Sequence, residues 1–130
     1  MNKNIAIIAP CFNEEIVIRK FLDELYEVLA PSNSQFTIII VDDHSSDKTL
    51  DILENYQFDS DCFNLNIIKL KYNMGHQEAI RQGLIYTNQI CDRTERHQIL
   101  VRQMPLLFER VDIELTQLCQ FPFELDHTLD

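Results

Sequence analysis

Phe36 to Asp47 reads FTIIIVDDHSSD, a run of β-branched apolar residues that breaks off into two carboxylates, an imidazole, two hydroxyls and a third carboxylate. Thr37, Ile38, Ile39, Ile40 and Val41 are stiff at the first side-chain torsion and suit an extended backbone. They lack the alternation of a strand with one wet face, so the run predicts a strand covered on both sides. Such strands belong to parallel sheets with helices above and below. Asp42 to Asp47 then stands where the strand leaves the core, and open α/β sheets bind their ligands outside the carboxyl ends of the strands. The densest polar cluster of the chain is placed where that fold puts its site.

The flanking sequence repeats the pattern. Asn4 to Ala9 (NIAIIA), closed by Pro10, predicts a first strand. Asn13 is expected to cap a helix whose first turn holds Glu14 and Glu15 against the positive end of its dipole. Val17, Phe21, Leu25 and Val28 follow at helical spacing until Pro31 and the polar residues after it end the helix. Beyond the opening stretch, Ser46 or Asp47 is expected to cap a second helix through Leu50, Leu53 and Tyr56. Leu65 to Leu70 predicts a third strand, KYNMG a turn with Gly75 at positive φ, and Gln77 to about Ile90 a third helix. Strand and helix alternate three times, which argues a parallel sheet with right-handed crossovers. The expected spatial order is 3-2-1 or 2-1-3, with the second strand buried. Three polar clusters then share one edge of the sheet: Pro10 to Glu14, Asp42 to Asp47 and Asn73 to Gln77. Helix N-termini point to that same edge and offer free N–H groups to phosphate, so the residues describe a nucleotide-type cleft.

Composition narrows the function. The chain has 130 residues, enough for one domain, with 45% apolar and 25% charged residues, as in soluble globular proteins. No apolar run is long enough to span a bilayer, and the amino-terminal apolar run is too short for a secretory signal. The expected location is the cytoplasm, with peripheral attachment to the inner face of a membrane as an option. Eleven basic against 21 acidic residues give a net charge of −10, which opposes nucleic acid and offers no basic patch. Cys11, Cys62, Cys91 and Cys119 are far apart, with no metal-binding spacing, and are read as reduced thiols. Glycine is scarce: Gly75 and Gly83 are the two present, where about nine are usual for this length.

IAIIAPCFNEE, IIIVDDHSSDKT and YNMGHQEAIRQGL, in that order and at these separations, resemble the amino-terminal half of a family 2 glycosyltransferase of the GT-A fold. The third segment is most similar to the polyprenyl- or dolichol-phosphate mannosyl- or glucosyltransferase branch. The resemblance implies a Rossmann-like half-domain over 1–87 that binds a UDP- or GDP-sugar, with a divalent metal, Mg or Mn, at the diphosphate. In this branch the sugar passes to a lipid phosphate. By position, Pro10, Phe12 and Glu14 would line the pocket for base and ribose, and Val41 and Asp43 would hold the base. Asn73, Gly75 and Gln77 would frame the ribose and diphosphate side, while Ala79 and Gly83 would let the third helix approach the sheet. Asp42 is read as structural, and His44 stands where the family often has Gly.

The resemblance stops after the third helix. The family continues into a fourth strand ending in Asp-x-Asp, the metal motif, whereas NQICDRTERHQILVRQMPLL has no paired acids and is read as containing no strand of that form. Asp59-Ser60-Asp61 precedes the third strand and so belongs at the opposite edge. Asp112 and Glu114 are read as the wet face of an amphipathic helix starting near Pro105. No metal ligands or catalytic base are assigned. Residues 88–130 are expected to form a mostly helical tail from a truncated or out-of-frame ending. The uncovered sheet edge or that helix is expected to promote self-association. Three other readings stand beside this one: a non-catalytic nucleotide-binding fragment or partner-dependent subunit, a response-regulator receiver, and a dinucleotide oxidoreductase. The receiver places its acidic pair after the first strand and needs an acceptor Asp after the third, and no G-x-G-x-x-G supports the oxidoreductase.

Overall fold

The computed structural model describes residues 4–90 and 97–102. The elements run β1 (Asn4–Cys11), α1 (Ile18–Leu29), β2 (Gln35–Asp42), α2 (Thr49–Glu54), β3 (Phe63–Lys69), α3 (His76–Ile90) and β4 (His97–Val101). The strands form one sheet in the order β3-β2-β1-β4, and every neighbouring pair is parallel. The first three strands take the expected 3-2-1 order.

β4 corrects the sequence reading. His97 to Val101 pairs with Asn4 to Ile8 of β1, so the sheet has four strands where three were expected. The sequence reading finds no strand of the family's form in this region, which contains HQILV. Beside β1, however, Leu100 is buried in the main core while Ile99 and Val101 pack against the core on the opposite face. Tertiary burial thus supplies what local pattern lacked. The helix expected from near Pro105, with Asp112 and Glu114, lies outside the described residues.

Both faces of the sheet are covered, as the unbroken run of β2 required. On one face Ile5, Ile7 and Ala9 of β1 and Ile38 and Ile40 of β2 pack with Ile18, Phe21, Leu22, Leu25 and Leu29 of α1. The stripe of α1 is therefore turned slightly from the one expected. Val28 is 52% exposed, and Ile18, Leu22 and Leu29 take the buried positions. Phe36 stacks on Phe63 at 4.7 Å between ring centroids, closing the amino-terminal end of this core. The helices also start and stop differently from expectation. α1 begins only at Ile18, after a turn in which the N–H groups of Val17 and Ile18 donate to Glu14 O. α2 ends at Glu54, short of Tyr56.

On the other face Ala6 and Ile8 of β1 and Ile39 and Val41 of β2 pack with Ala79 of α3. Gly83 sets how close that helix comes. A Cβ on Gly83 would stand 2.5 Å from Ile8 Cγ2 and 3.0 Å from Val41 Cγ2, both β-branched side chains fixed on central strands. Gly83→Ala therefore sets a helix-propensity gain of about 1 kcal/mol against an overpacking cost of about 1–3 kcal/mol. The cost is expected to win because neither neighbour can swing away. A circular dichroism melt of the variant should show a lower melting temperature than the parent, and an equal or higher one would show that α3 can shift outward freely.

Candidate functional site

The carboxyl edge is built by two buried neighbours, Asp42 and Asp43, which are 2% and 4% exposed. A buried carboxylate requires donors, and the two find theirs in different directions. Asp42 accepts from the hydroxyl and the N–H of Ser45 and from the Cys11 thiol at 3.7 Å. Burial, reinforced by the Asp42 carboxylate, pushes the Cys11 thiol up, so it stays a proton donor. Asp43 reaches across to the loop after β3, where the N–H groups of Met74 and Gly75 donate to its two oxygens at 2.7 and 3.1 Å. Asn73 Nδ2 adds a bond to the Asp43 carbonyl at 3.3 Å. The start of α3 is thereby tied to the end of β2.

The loop after β1 is tied to the same place. Asn13 does not cap α1. Its side-chain oxygen accepts from the N–H groups of Ser46 and Asp47 at 2.8 and 3.3 Å, and its own N–H donates to Ser45 Oγ at 2.9 Å. Glu14 N–H donates to Thr49 Oγ1 at 2.8 Å, Glu15 N–H to Asp47 Oδ2 at 3.2 Å, and Lys48 N–H to Glu15 Oε2 at 3.2 Å. Asn13 and His44 both have positive φ, 52° and 61°, and Gly75 has φ 93°. Left-handed backbone is uncommon for residues with a Cβ, although Asn and His tolerate it better than most. The cross-loop bonds hold it in place.

Between these loops opens a cavity of about 280 Å³ lined by Pro10, Cys11, Phe12, Glu14, Asp43, Asn73, Gly75 and His76. Of the residues singled out for the site in the sequence, Pro10, Phe12, Glu14, Asp43, Asn73 and Gly75 line this opening; Gln77 is not among its lining residues, and neither is Val41. Its side chain is fully buried and packs toward α3 with Ile8 and Ala79, because alternation along β2 turns it away from the edge. Cys11 and His76 were not assigned to the site, and their adjacency to Pro10 and Gly75 was the available signal. Phe12 is 45% exposed at the mouth, and Ile16 and Tyr72 in the neighbouring loops are 91% and 63% exposed. Partial burial, and then the charge of Asp47, push Glu14 up.

The described residues do not fit a divalent metal. β4 ends in Val101, followed by Arg102, where the resemblance calls for Asp-x-Asp, and no group of three or more His, Cys, Asp or Glu among the described residues is placed to hold an ion. No described helix is long and apolar enough to cross a membrane.

A parallel sheet with three loop clusters closing on one cavity at its carboxyl edge has the architecture of the GT-A glycosyltransferases. Residues 6–89 match the family model described as "Glycosyl transferase family 2", and the chain belongs to that family. It is 32% identical over 81 residues to the uncharacterized glycosyltransferase YkcC of Bacillus subtilis, covering 62% of this chain and 24% of YkcC. Against the dolichyl-phosphate β-glucosyltransferase of Dictyostelium discoideum it is 29% identical over 89 residues, 65% of this chain and 27% of the relative. The chain therefore spans about a quarter of the length of these curated relatives. The crystal structure of S. aureus TarS 1-349 in complex with UDP superposes with a TM-score of 0.58 at 25% identity, covering 77% of this chain and 27% of that one.

Asp47 makes the loop clasp sensitive to acid. Desolvation pushes its carboxyl up, but hydrogen bonds from Thr49 and Glu15 outweigh this and hold it below its ordinary value. A depressed carboxylate adds stability above its unfolded pKa, near 4, and that stability is lost as pH falls through the folded value. Asp47→Asn is expected to lower the melting temperature at pH 7 and to flatten its decline between about pH 5 and pH 3. Melts across that range check both, and parallel curves for variant and parent would contradict the assignment.

Proposed function

We propose that this chain binds the nucleoside diphosphate-sugar donor of a family 2 glycosyltransferase at the cavity between the loops after β1, β2 and β3. The observation that carries the reading is the lining itself: an exposed aromatic, two carboxylates, Asn73 and the Gly75 turn at the start of α3 meet at one opening. The face of Phe12 supports a base by stacking. Asp43 uses one lone pair of each oxygen on Met74 and Gly75, and a carboxylate has about four acceptor positions. It can therefore accept from an N–H of uracil or guanine without giving up the loop. Glu14 and Asn73 supply polar contacts for the ribose, and the turn at Gly75 lets backbone approach the diphosphate. The TarS neighbour solved in complex with UDP supports a nucleotide ligand for this fold.

For the acceptor, the dolichyl-phosphate relatives support a lipid phosphate. The exposed apolar side chains of Phe12 at the cavity and of Ile16 and Tyr72 in the neighbouring loops suit an approach by an apolar chain carrying an anionic head. The protein of which these residues form the donor-binding part would then catalyse transfer of the sugar to that phosphate.

Titration calorimetry with UDP and GDP, with and without Mn²⁺, tests donor binding. One of the two should bind, with an affinity insensitive to Mn²⁺. Phe12→Ala is expected to weaken binding by about fivefold or more, since base stacking on an aromatic is worth about 1–3 kcal/mol. Its melting temperature should match the parent's, because the ring is half exposed. Absence of binding by both nucleotides, or binding indifferent to Phe12, would reject the site.

A further inference from the structure

We propose that the Arg102 guanidinium is the cation that receives the donor's diphosphate, in place of the metal that the described residues do not fit; this rests on the donor-binding reading above. The first observation is the limit of the β1–β4 pairing. Arg102 N–H donates to Ile8 O at 2.8 Å, one residue beyond the Ile8–Val101 pair. The next rung of a parallel ladder would need an N–H from Pro10 to the Arg102 carbonyl, and proline has none. That bond therefore cannot extend the β1–β4 pairing, which is described as far as Val101. This is also where the strand order reverses, since β2 and β3 lie on one side of β1 and β4 on the other. Such reversal points open a crevice at the carboxyl edge. Pro10 lines the cavity and lies only two residues past Ile8, about 7 Å along the strand.

The second observation is the state of Arg102 itself. Its Nε is buried and has no hydrogen-bond partner. The ion pairs among the described residues join Lys20 to Glu24, Lys69 to Glu54 and Arg81 to Glu78, and none of them includes Arg102. Arg19, Lys48 and Lys71 are exposed to water, where a charge is screened. A partly desolvated guanidinium without a counter-charge is costly, and an anion removes that cost. Its planar fork matches two phosphate oxygens at once. The cavity needs such a group: Glu14 and Asp43 line it on a chain of net charge −10, and both repel a diphosphate.

The experiment compares each nucleoside with its diphosphate, uridine with UDP and guanosine with GDP, on the full chain and on Arg102→Gln and Arg102→Lys. The parent should bind the diphosphate about tenfold or more tighter than the nucleoside, as expected for charge-assisted bonds. Arg102→Gln should remove most of that gap and leave nucleoside affinity unchanged, which also reports that the variant is folded. Arg102→Lys should restore part of it, a point charge replacing a fork. Equal loss of nucleoside and diphosphate binding in Arg102→Gln would make the residue structural and overturn the proposal. So would a gap that persists in Arg102→Gln, or one that appears only with added Mn²⁺. If the parent binds neither nucleoside nor diphosphate, the donor-binding reading fails and this proposal with it; if nucleoside binding survives and the gap does not respond to Arg102, this proposal alone fails.

Discussion

Two adjacent carboxylates at the end of the most buried strand must be hydrogen-bonded, and the carboxyl edge is arranged to meet that demand. Asp42 and Asp43 leave β2 with almost no access to water, where an unpaired carboxylate would be far too costly to keep ionised. Alternation sends them apart. Asp42 gathers Ser45 and the Cys11 thiol, and Asp43 gathers the backbone of Met74 and Gly75. The loops after β1 and β3 are in this way fastened to the centre of the sheet. The opening between them has walls tied together by hydrogen bonds from the loops to Asp42 and Asp43. An opening of this kind suits a ligand recognised by shape and a few polar contacts.

Asn13 carries the same logic outward. A side-chain amide in left-handed backbone satisfies two N–H groups of the opposite loop, and the segment from Ser45 to Thr49 answers with acceptors for Asn13, Glu14 and Glu15. These bonds are reciprocal, so loosening one side exposes donors on the other. That reciprocity explains why α1 starts late. The residues that local preference assigns to its first turn are held by the neighbouring loop instead.

The sheet was legible where burial follows from composition. Ile38 to Ile40 have no polar neighbours to alternate with, and a strand of that kind has one kind of surroundings. The three polar clusters could be assigned to one edge because parallel strands share their direction, and Pro10, Phe12, Glu14, Asp43, Asn73 and Gly75 do meet there. What failed was anything decided by a distant partner. Val41 reads as the last residue before the site, yet the pleat turns it into the core against Ile8. Asn13 reads as a helix cap, yet its acceptor serves residues more than thirty positions away. β4 carries too few apolar residues to declare itself, and β1 makes it a strand.

The topology has a consequence for how the chain comes to exist. β1 leaves the ribosome some ninety residues before β4, yet the two lie side by side. Until Val101 has emerged, the strand that ends up in the middle of the sheet is an edge. It is apolar on both faces, with unpaired N–H and C=O groups along one side as far as Ile8. Nascent chains are most prone to capture by other strands at such edges. Parallel pairing over so long a loop is also slow to form. The interval between synthesis of β3 and of β4 is therefore the period in which that edge is most open to mispairing.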